Sequence, residues 1–597
     1  MPRRWSSLLS ITAIFLVLFS LLHRARNTQQ SAIGPSNRFS RQHSLCPSTP
    51  PNPPYNRINI DGSNWRDIPT RYPVTDFVPL PTEPPARLPR IQFTSSFSSF
   101  FFSIPTRSPS AKSRQAAIRA TFQRAWTSYR THAWKADELR PITAGIRNNF
   151  GGWGATLVDN LDTLLIMGLD EEFETAVAAL ADIDFSPRSS ASSQSTINIF
   201  ETTIRHLGGL LAAYDLTGCR ERRLLDKAIQ LGEMLYASSD TESRMPVPRW
   251  NAHKAGNGEA QRPAAQGVRA ELASSSLDFT RLSQLTGDMR YFDAASRITD
   301  MLDSQARDTR IPGLWPVTVD LQKGDLTRGS TFSFGGMADS AYEYLGKTYQ
   351  LLGGVGRGTQ YERLARDALD GGIRHLLFRP MTPDRADILL PGIAHATTSS
   401  VGLEPRTEHF ACFVGGMYAL AGKLFSNETY LATGRKVTDG CIWYYENSPQ
   451  GIMPEAFTVP SCPSVAECPW DETRQGIYTF VRDGHYALRP EAVESIFYMW
   501  RITGEERYRE AAWRMFDAIE AVTKTEFGNA AVRDVMAEKE DVEREDSMES
   551  FWMAETLKYL YLIFAETDVV SLDEWVFNTE GHPLRGFGGD IVQNYRV

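Results

Sequence analysis

The sequence predicts an all-α domain in which about seven inner helices are ringed by seven outer ones, an α/α barrel. Three observations carry this. From about Gln115 onward the apolar pattern is helical almost throughout. The pattern also repeats: "LSQLTGDMRYFDAASRI" (Leu282 to Ile298) returns as "MWRITGEERYREAAWRM" (Met499 to Met515), and "AAYDLTGCRERRLLDKAIQL" is a looser copy. Each copy has an apolar helix end, a Thr-Gly stop and a second, amphipathic helix. Gly after the last periodic residue is the expected helix C-cap, so the unit is an αα-hairpin of roughly 60 to 70 residues. Finally, the first helices of the hairpins are apolar nearly all round, which predicts burial. The second helices are charged on one side and belong outside.

Ahead of the barrel lie two other kinds of sequence. "MPRRWSSLLSITAIFLVLFSLLHRARN" holds an apolar run from about Leu8 to Leu22 between arginines. It ends in "LLHRAR", a poor cleavage site, so residues 1–26 read as a cytosolic tail and signal anchor. Residues 27–112, rich in Pro, Ser, Thr and Arg, carry no helical period and read as a disordered stem. The globular domain then spans 113–597. A net charge of −8 argues against a nucleic-acid surface. None of the six cysteines sits in a CxxC pair, so a structural zinc site is not expected. Cys412 and Cys441, in neighbouring helical stretches, are one candidate bridge; Cys462 and Cys468, closing "CPSVAEC", are another. Both require an oxidising compartment, and the "NET" sequon at Asn427 agrees with one.

The inner helices begin alike. Asp159 and Asp162, Glu201, Glu271, Asp339, Glu408, Glu491 with Glu494, and Glu549 with Glu555 each stand near the start of an apolar helix. A single acid there is ordinarily a dipole partner worth about 0.3 to 1 kcal/mol. With all inner helices running the same way, however, these carboxylates converge at one mouth. Such a ring is costly unless cations, arginines or shared protons offset it. It suits glycoside hydrolysis by an acid and a base, and it suits a hard cation, calcium above all. Carboxylate-bridged redox metals would want Glu-x-x-His motifs, which the ring lacks. Arg205 four residues after Glu201, and Arg489 two before Glu491, favour ionisation of their neighbours where they pair.

The motifs "GGWGATLVDNLDTLLIMGL", "FETTIRHLGGLLAAYDLTG", "AELASSSLDFTRLSQLTGD", "FGGMADSAYEYL", "HFACFVGGMYALAGKLF", "GIMPEAF", "YALRPEAVESIFYMWRITG", "ESFWMAETLKYLYLIF" and "FNTEGHP" occur in this order from about Gln115 to the C-terminus. With them the region resembles glycoside hydrolase family 47, the class I α-1,2-mannosidases. The resemblance implies an (α/α)7 barrel closed at one end by a C-terminal loop or β-hairpin plug. It also implies calcium-dependent, inverting exo-hydrolysis of α-1,2-linked mannose on high-mannose N-glycans, by proteins many of which are type II membrane proteins of the ER or Golgi. By motif, Glu201 resembles the general acid. Asp339 and Glu491 resemble the carboxylates that activate or position water, and Glu455 a further active-site acid. Arg205, Glu271, His409, Arg489 and Glu555 resemble residues that orient hydroxyls or waters, and Phe551 the aromatic floor. Thr579 resembles the calcium ligand, with Glu580 beside it, and Cys412 with Cys441 the family's disulfide. Met337 stands where some members carry Arg. The competing function is a glycan-binding quality-control factor of the ER that keeps the barrel with weak or no hydrolysis. A third reading, another α/α-barrel polysaccharide hydrolase, lacks "FNTEGHP".

Overall fold

Seven inner helical segments alternate along the chain with seven outer helices. The inner segments span 155–166, 199–216, 269–286, 339–351, 409–424, 491–503 and 552–563. The outer helices are Pro109–His132, Asp170–Ala179, Arg222–Ala237, Met289–Gln305, Gly358–His375, Glu428–Glu446 and Glu506–Thr523. The chain enters on the outer helix Pro109–His132, which packs on the last inner segment, 552–563. First and last elements thereby close the ring. This computed structural model describes residues 46–47, 49–55, 64–93, 109–187 and 196–586. The apolar run read as an anchor lies outside them. Among the described residues no helix is long and apolar enough to cross a membrane.

Burial separates the layers as the pattern predicts. From Ala492 to Ile502 every residue of one inner helix is buried. In the following outer helix only Tyr508, Ala511, Ala512, Met515, Phe516, Ile519 and Thr523 are buried, one stripe at helical spacing. Gly287 and Gly504 end two inner segments in the left-handed conformation, with φ of 74° and 69°. These are the Thr-Gly stops of the repeat.

The region read as a disordered stem is in part a strap. Residues 46–47, 49–55 and 64–93 pack along the outer wall and across the face where the inner helices end, opposite their acidic starts. Cys46 is bonded to Cys219 just beyond one inner helix. Tyr55 N–H donates to the Thr286 carbonyl (2.7 Å), Ala86 N–H to Gly353 (2.8 Å) and Phe93 N–H to Arg501 (2.9 Å). The Gln92 carboxamide accepts from Leu572 N–H and Arg501 Nη1 and donates to the Thr567 carbonyl. Helix ends leave carbonyls without intrahelical partners, and the strap supplies donors for them. Sparse hydrophobicity argued for disorder. It failed here because several of its apolar residues, Trp65, Leu80 and Ile91, are buried against the barrel. The bridges Cys412–Cys441 and Cys462–Cys468 form as paired in the sequence reading. Cys46–Cys219, spanning 173 residues, was not foreseen, because one partner lay in the supposed stem.

A chain starting at residue 113 therefore exposes the strap's slots and the Cys219 thiol. Relative to a chain starting before Cys46, its thermal midpoint should fall by on the order of 10 °C, since each large apolar side chain contributes about 1.5–3 kcal/mol. Equal midpoints in scanning calorimetry would show the strap to be ornamental.

Candidate active site

The barrel axis is filled by the C-terminal hairpin. Trp575–Phe577 pairs antiparallel with Pro583–Arg585, in the register Trp575 to Arg585 and Phe577 to Pro583. At its base Arg585 N–H donates to Asp215 (2.9 Å), near the end of the inner segment 199–216. At its turn Glu580 accepts from Arg205, near that segment's start. The hairpin thus climbs from the strap side towards the acidic starts. Asn578 shapes the turn: its Oδ1 accepts from the N–H groups of Glu580 (2.9 Å) and His582 (3.0 Å), and its Nδ2 donates to the Ile204 carbonyl (3.0 Å). Gly208 makes room for it, because a Cβ there would lie 2.4 Å from Asn578 Nδ2.

The hairpin is pinned by charge. His582, fully buried, sits between Asp159 (Nε2 to Oδ1, 3.0 Å) and Asp162 (Nδ1 to Oδ2, 3.0 Å). Lys558 Nζ reaches Asp162 at 2.7 Å and the Gly581 carbonyl at 2.7 Å. Burial alone would push the imidazole down, but the flanking carboxylates bring it up to about 9. Two carboxylates, one ammonium and one imidazolium sum to zero, which makes such burial tolerable.

Above the hairpin the acids meet. The inner segment 199–216 widens into a π-helical stretch over Thr202–Leu207, a distortion common at functional sites. Glu201 accepts from Arg205 Nε at 2.8 Å. Arg205 also bonds Ser550 Oγ (3.0 Å), and its guanidinium lies over the rings of Phe150 (4.8 Å) and Phe551 (5.6 Å). It is buried, so the spacing of four residues was not a surface pair. Arg489 grips Glu455 through Nε (2.9 Å) and Nη2 (2.7 Å) while covering Phe410 (3.5 Å) and Phe551 (5.8 Å). Phe551 thus lies within reach of both arginines, as a pocket floor would.

Glu491 faces His409 Nδ1 at 3.3 Å, and His409 Nε2 meets the Tyr445 hydroxyl at 2.6 Å. Burial pushes the Glu491 carboxyl up, but the His409 contact and the charge of Arg489 outweigh it and hold the group below the usual carboxylate range. Asp339 behaves oppositely. Burial pushes it up to about 7, and the Ser340 N–H (2.7 Å) and hydroxyl (3.1 Å) offset only part of that. Glu494 is pushed up to about 8, by burial and the charges of Glu343 and Glu491 against the pull of Lys347. Glu555 is held well above the usual range by burial and the charges of Glu580, Glu491 and Glu494, and Glu580 by burial and the charges of Asp159 and Glu201 against the pull of Arg205.

Thr579 crowns the turn. Its N–H donates to the Tyr344 hydroxyl (3.1 Å), while its own hydroxyl and carbonyl oxygens have no hydrogen-bond partner among the described residues. Two free oxygens beneath mutually repelling carboxylates form a donor set that suits a hard divalent cation. The residues present therefore fit such an ion. Its charge would relieve the crowding that raises Glu494, Glu555 and Glu580.

Two expected pocket residues have partners within the protein. His409 is fully buried, with one nitrogen facing Glu491 and the other the Tyr445 hydroxyl. Glu271 is paired with Arg249 Nη2 at 2.7 Å. The sequence reading missed His582, Lys558, Glu343 and Lys347. Lys558 left a signal, a lone cation inside the apolar run "LKYLYLIF". An open cavity of about 440 Å³ lies elsewhere, between the strap and the outer wall beside Trp65, Tyr72, Tyr236 and Trp250; no carboxylate of the ring lines it.

Fold and site together define an α/α-barrel protein with an arginine-braced carboxylate pocket above an axial plug. Residues 121–586 match glycosyl hydrolase family 47, and the chain belongs to that family. It is 35% identical over 489 residues to a mannosyl-oligosaccharide 1,2-alpha-mannosidase of Arabidopsis thaliana, covering 80% of this chain and 79% of that one. It is 34% identical to mannosyl-oligosaccharide alpha-1,2-mannosidase 1B of Aspergillus oryzae, covering 80% of this chain and 93% of that one. Among solved structures, alpha-1,2-mannosidase from Trichoderma reesei superposes with a TM-score of 0.72 at 31% identity, over 79% of this chain and 99% of that one.

Two outcomes test the plug. His582→Gln leaves an uncompensated buried carboxylate and should cost about 3–5 kcal/mol near pH 6. His582 titrates at 6.5 when unfolded and at about 9 when folded. Its contribution is complete below about 6.5 and is lost as pH rises through 9. The gap between wild type and variant in urea unfolding should therefore narrow on going alkaline; a gap independent of pH would contradict the imidazolium. Gly208→Ala should cost about 1–3 kcal/mol by overpacking against Asn578, read in the same titration.

Proposed function

We propose that the protein is a calcium-dependent, inverting exo-α-1,2-mannosidase that trims high-mannose N-glycans in the secretory pathway. The observation that carries this is the split among the ring acids. Glu491, at the start of the sixth inner segment, is held ionised beside His409 and Arg489, while Glu201 and Asp339 stand at the starts of the second and fourth. Inversion needs one carboxylate to activate water and one carboxyl to protonate the leaving oxygen. Glu491 takes the water's proton as the water oxygen bonds to the anomeric carbon. The glycosidic bond breaks, and its oxygen takes a proton from Glu201, directly or through a water. Asp339, raised to about 7, is a second candidate for that proton. Arg205 and Arg489 hold Glu201 and Glu455 in place, and Phe551 offers an apolar floor for a sugar ring. Calcium held by the two oxygens of Thr579 would supply positive charge among the acids and orient sugar hydroxyls.

Family membership and the names of the relatives support the substrate class. Three disulfides support an oxidising compartment. An ER or Golgi address, with residues 1–26 as the anchor, remains part of the proposal.

The test follows mannose release from the full-length high-mannose N-glycan by chromatography, on a chain beginning before Cys46. Chelation of calcium should abolish release, and Glu201→Gln should slow it by about 10²–10⁴-fold. A folded protein that binds the glycan yet releases nothing under any metal condition is the glycan-binding factor instead. Thr579→Val should weaken calcium binding in a direct titration; unchanged affinity would move the metal elsewhere.

A further inference from the structure

A three-stranded sheet, Arg406–Glu408, Ala456–Thr458 and Phe480–Asp483, stands on the ring as a lip. Glu408 directly precedes His409 and Ala456 directly follows Glu455, so both strands leave the acids and run outward. The register sets Glu408 opposite Ala456 and Ala456 opposite Asp483; further out, Arg406 lies opposite Thr458 and Thr458 opposite Phe480. The outer row is two residues along, about 7 Å beyond the inner one.

The sheet's two faces are unlike. Phe457 turns outward and is buried against Tyr444 and Tyr478, with ring centroids 5.2 and 5.1 Å away. Glu408 turns the other way, where its Oε2 accepts from Gly336 N–H at 3.0 Å in the loop leading to Asp339. Alternate residues of a strand share a face, and directly paired residues do too. Arg406, Thr458 and Phe480 therefore look the same way as Glu408, over the mouth. Phe480 is 63% exposed, and the part-exposed guanidinium of Arg406 faces Glu404 through Nη1 at 3.4 Å.

A single exposed aromatic on a protein surface is ordinary. This one lies in a row with a part-exposed guanidinium and a hydroxyl, at the exit of an acid-lined pocket. That combination matches a pyranose, whose C–H face packs on an aromatic ring while its hydroxyls meet planar donors. An exo-acting pocket takes only the terminal residue, so the rest of a branched oligosaccharide must leave across the lip. We propose that Phe480, with Arg406 beside it, is the platform for a sugar of the same oligosaccharide one or more residues inward from the cleaved mannose. This rests on the hydrolase reading above.

The experiment compares kcat/KM on the full-length high-mannose N-glycan and on α-1,2-mannobiose. Phe480→Ala should lower the long-to-short ratio by about threefold to tenfold through KM on the long substrate, and Phe480→Trp should keep the ratio. A ratio unchanged in Phe480→Ala, or an equal fall on both substrates, overturns the platform while the hydrolase stands. A wild-type protein that releases mannose from neither substrate overturns the hydrolase reading and the platform with it.

Discussion

The structure depends on a buried quartet of charges. Asp159 and Asp162 on the first inner segment, Lys558 on the last and His582 on the hairpin meet where the ring closes. A ring of helices has no core along its own axis. Here the axis is occupied by the hairpin, and these charges, with the Asn578 turn and the contacts of Arg585, Glu580 and Thr579 to the inner helices, fix its height. Thr579 and Glu580 are therefore carried on a turn whose base is held by buried charges, with Arg205 gripping Glu580 from the site side. First and last inner segments are joined through the same cluster, so ring closure and site assembly are one event.

Above that anchor the problem is excess negative charge. Arg205 and Arg489 each bind one rim acid and each lie over Phe551. They divide the site into two braced carboxylates with an apolar floor between them. The acids they do not brace respond to their surroundings. Glu491, with His409 and Arg489 at hand, stays ionised, whereas Asp339, buried and bonded to Ser340, holds its proton more tightly. One fold thus sets carboxyls of the same chemistry to different protonation. The deeper acids, Glu494, Glu555 and Glu580, are raised by burial and by neighbouring carboxylates, a crowding that a hard cation would relieve.

Much of this was readable in the chain. The inner helices announce themselves by being apolar on every side, and all seven segments lie where that pattern put them. The stops at Gly287 and Gly504 follow from backbone sterics alone. Acids at apolar helix starts pointed to a mouth before any motif was considered, and the motifs then distinguished Glu201 from Glu271. The rest was hidden for identifiable reasons. Proline removes helical periodicity without preventing an extended chain from lying on a surface, so the strap looked like a spacer. Nothing local links Cys46 to a partner so distant in sequence. His409 carries the residue type of a pocket group, but its contact with Tyr445, on another helix, has no local signal. The wide turn at Thr202–Leu207 has no propensity signal at all.

The strap has a consequence for how the domain meets large substrates. Cys46 is tied down beside Cys219, at the end of the barrel remote from the acids. Whatever precedes Cys46 must depart from that end. A tether attached there would hold the domain base-down, with its opening turned away from the attachment surface. Under the proposed function, bulky glycoproteins would present their glycans from the free side without passing between the domain and its support.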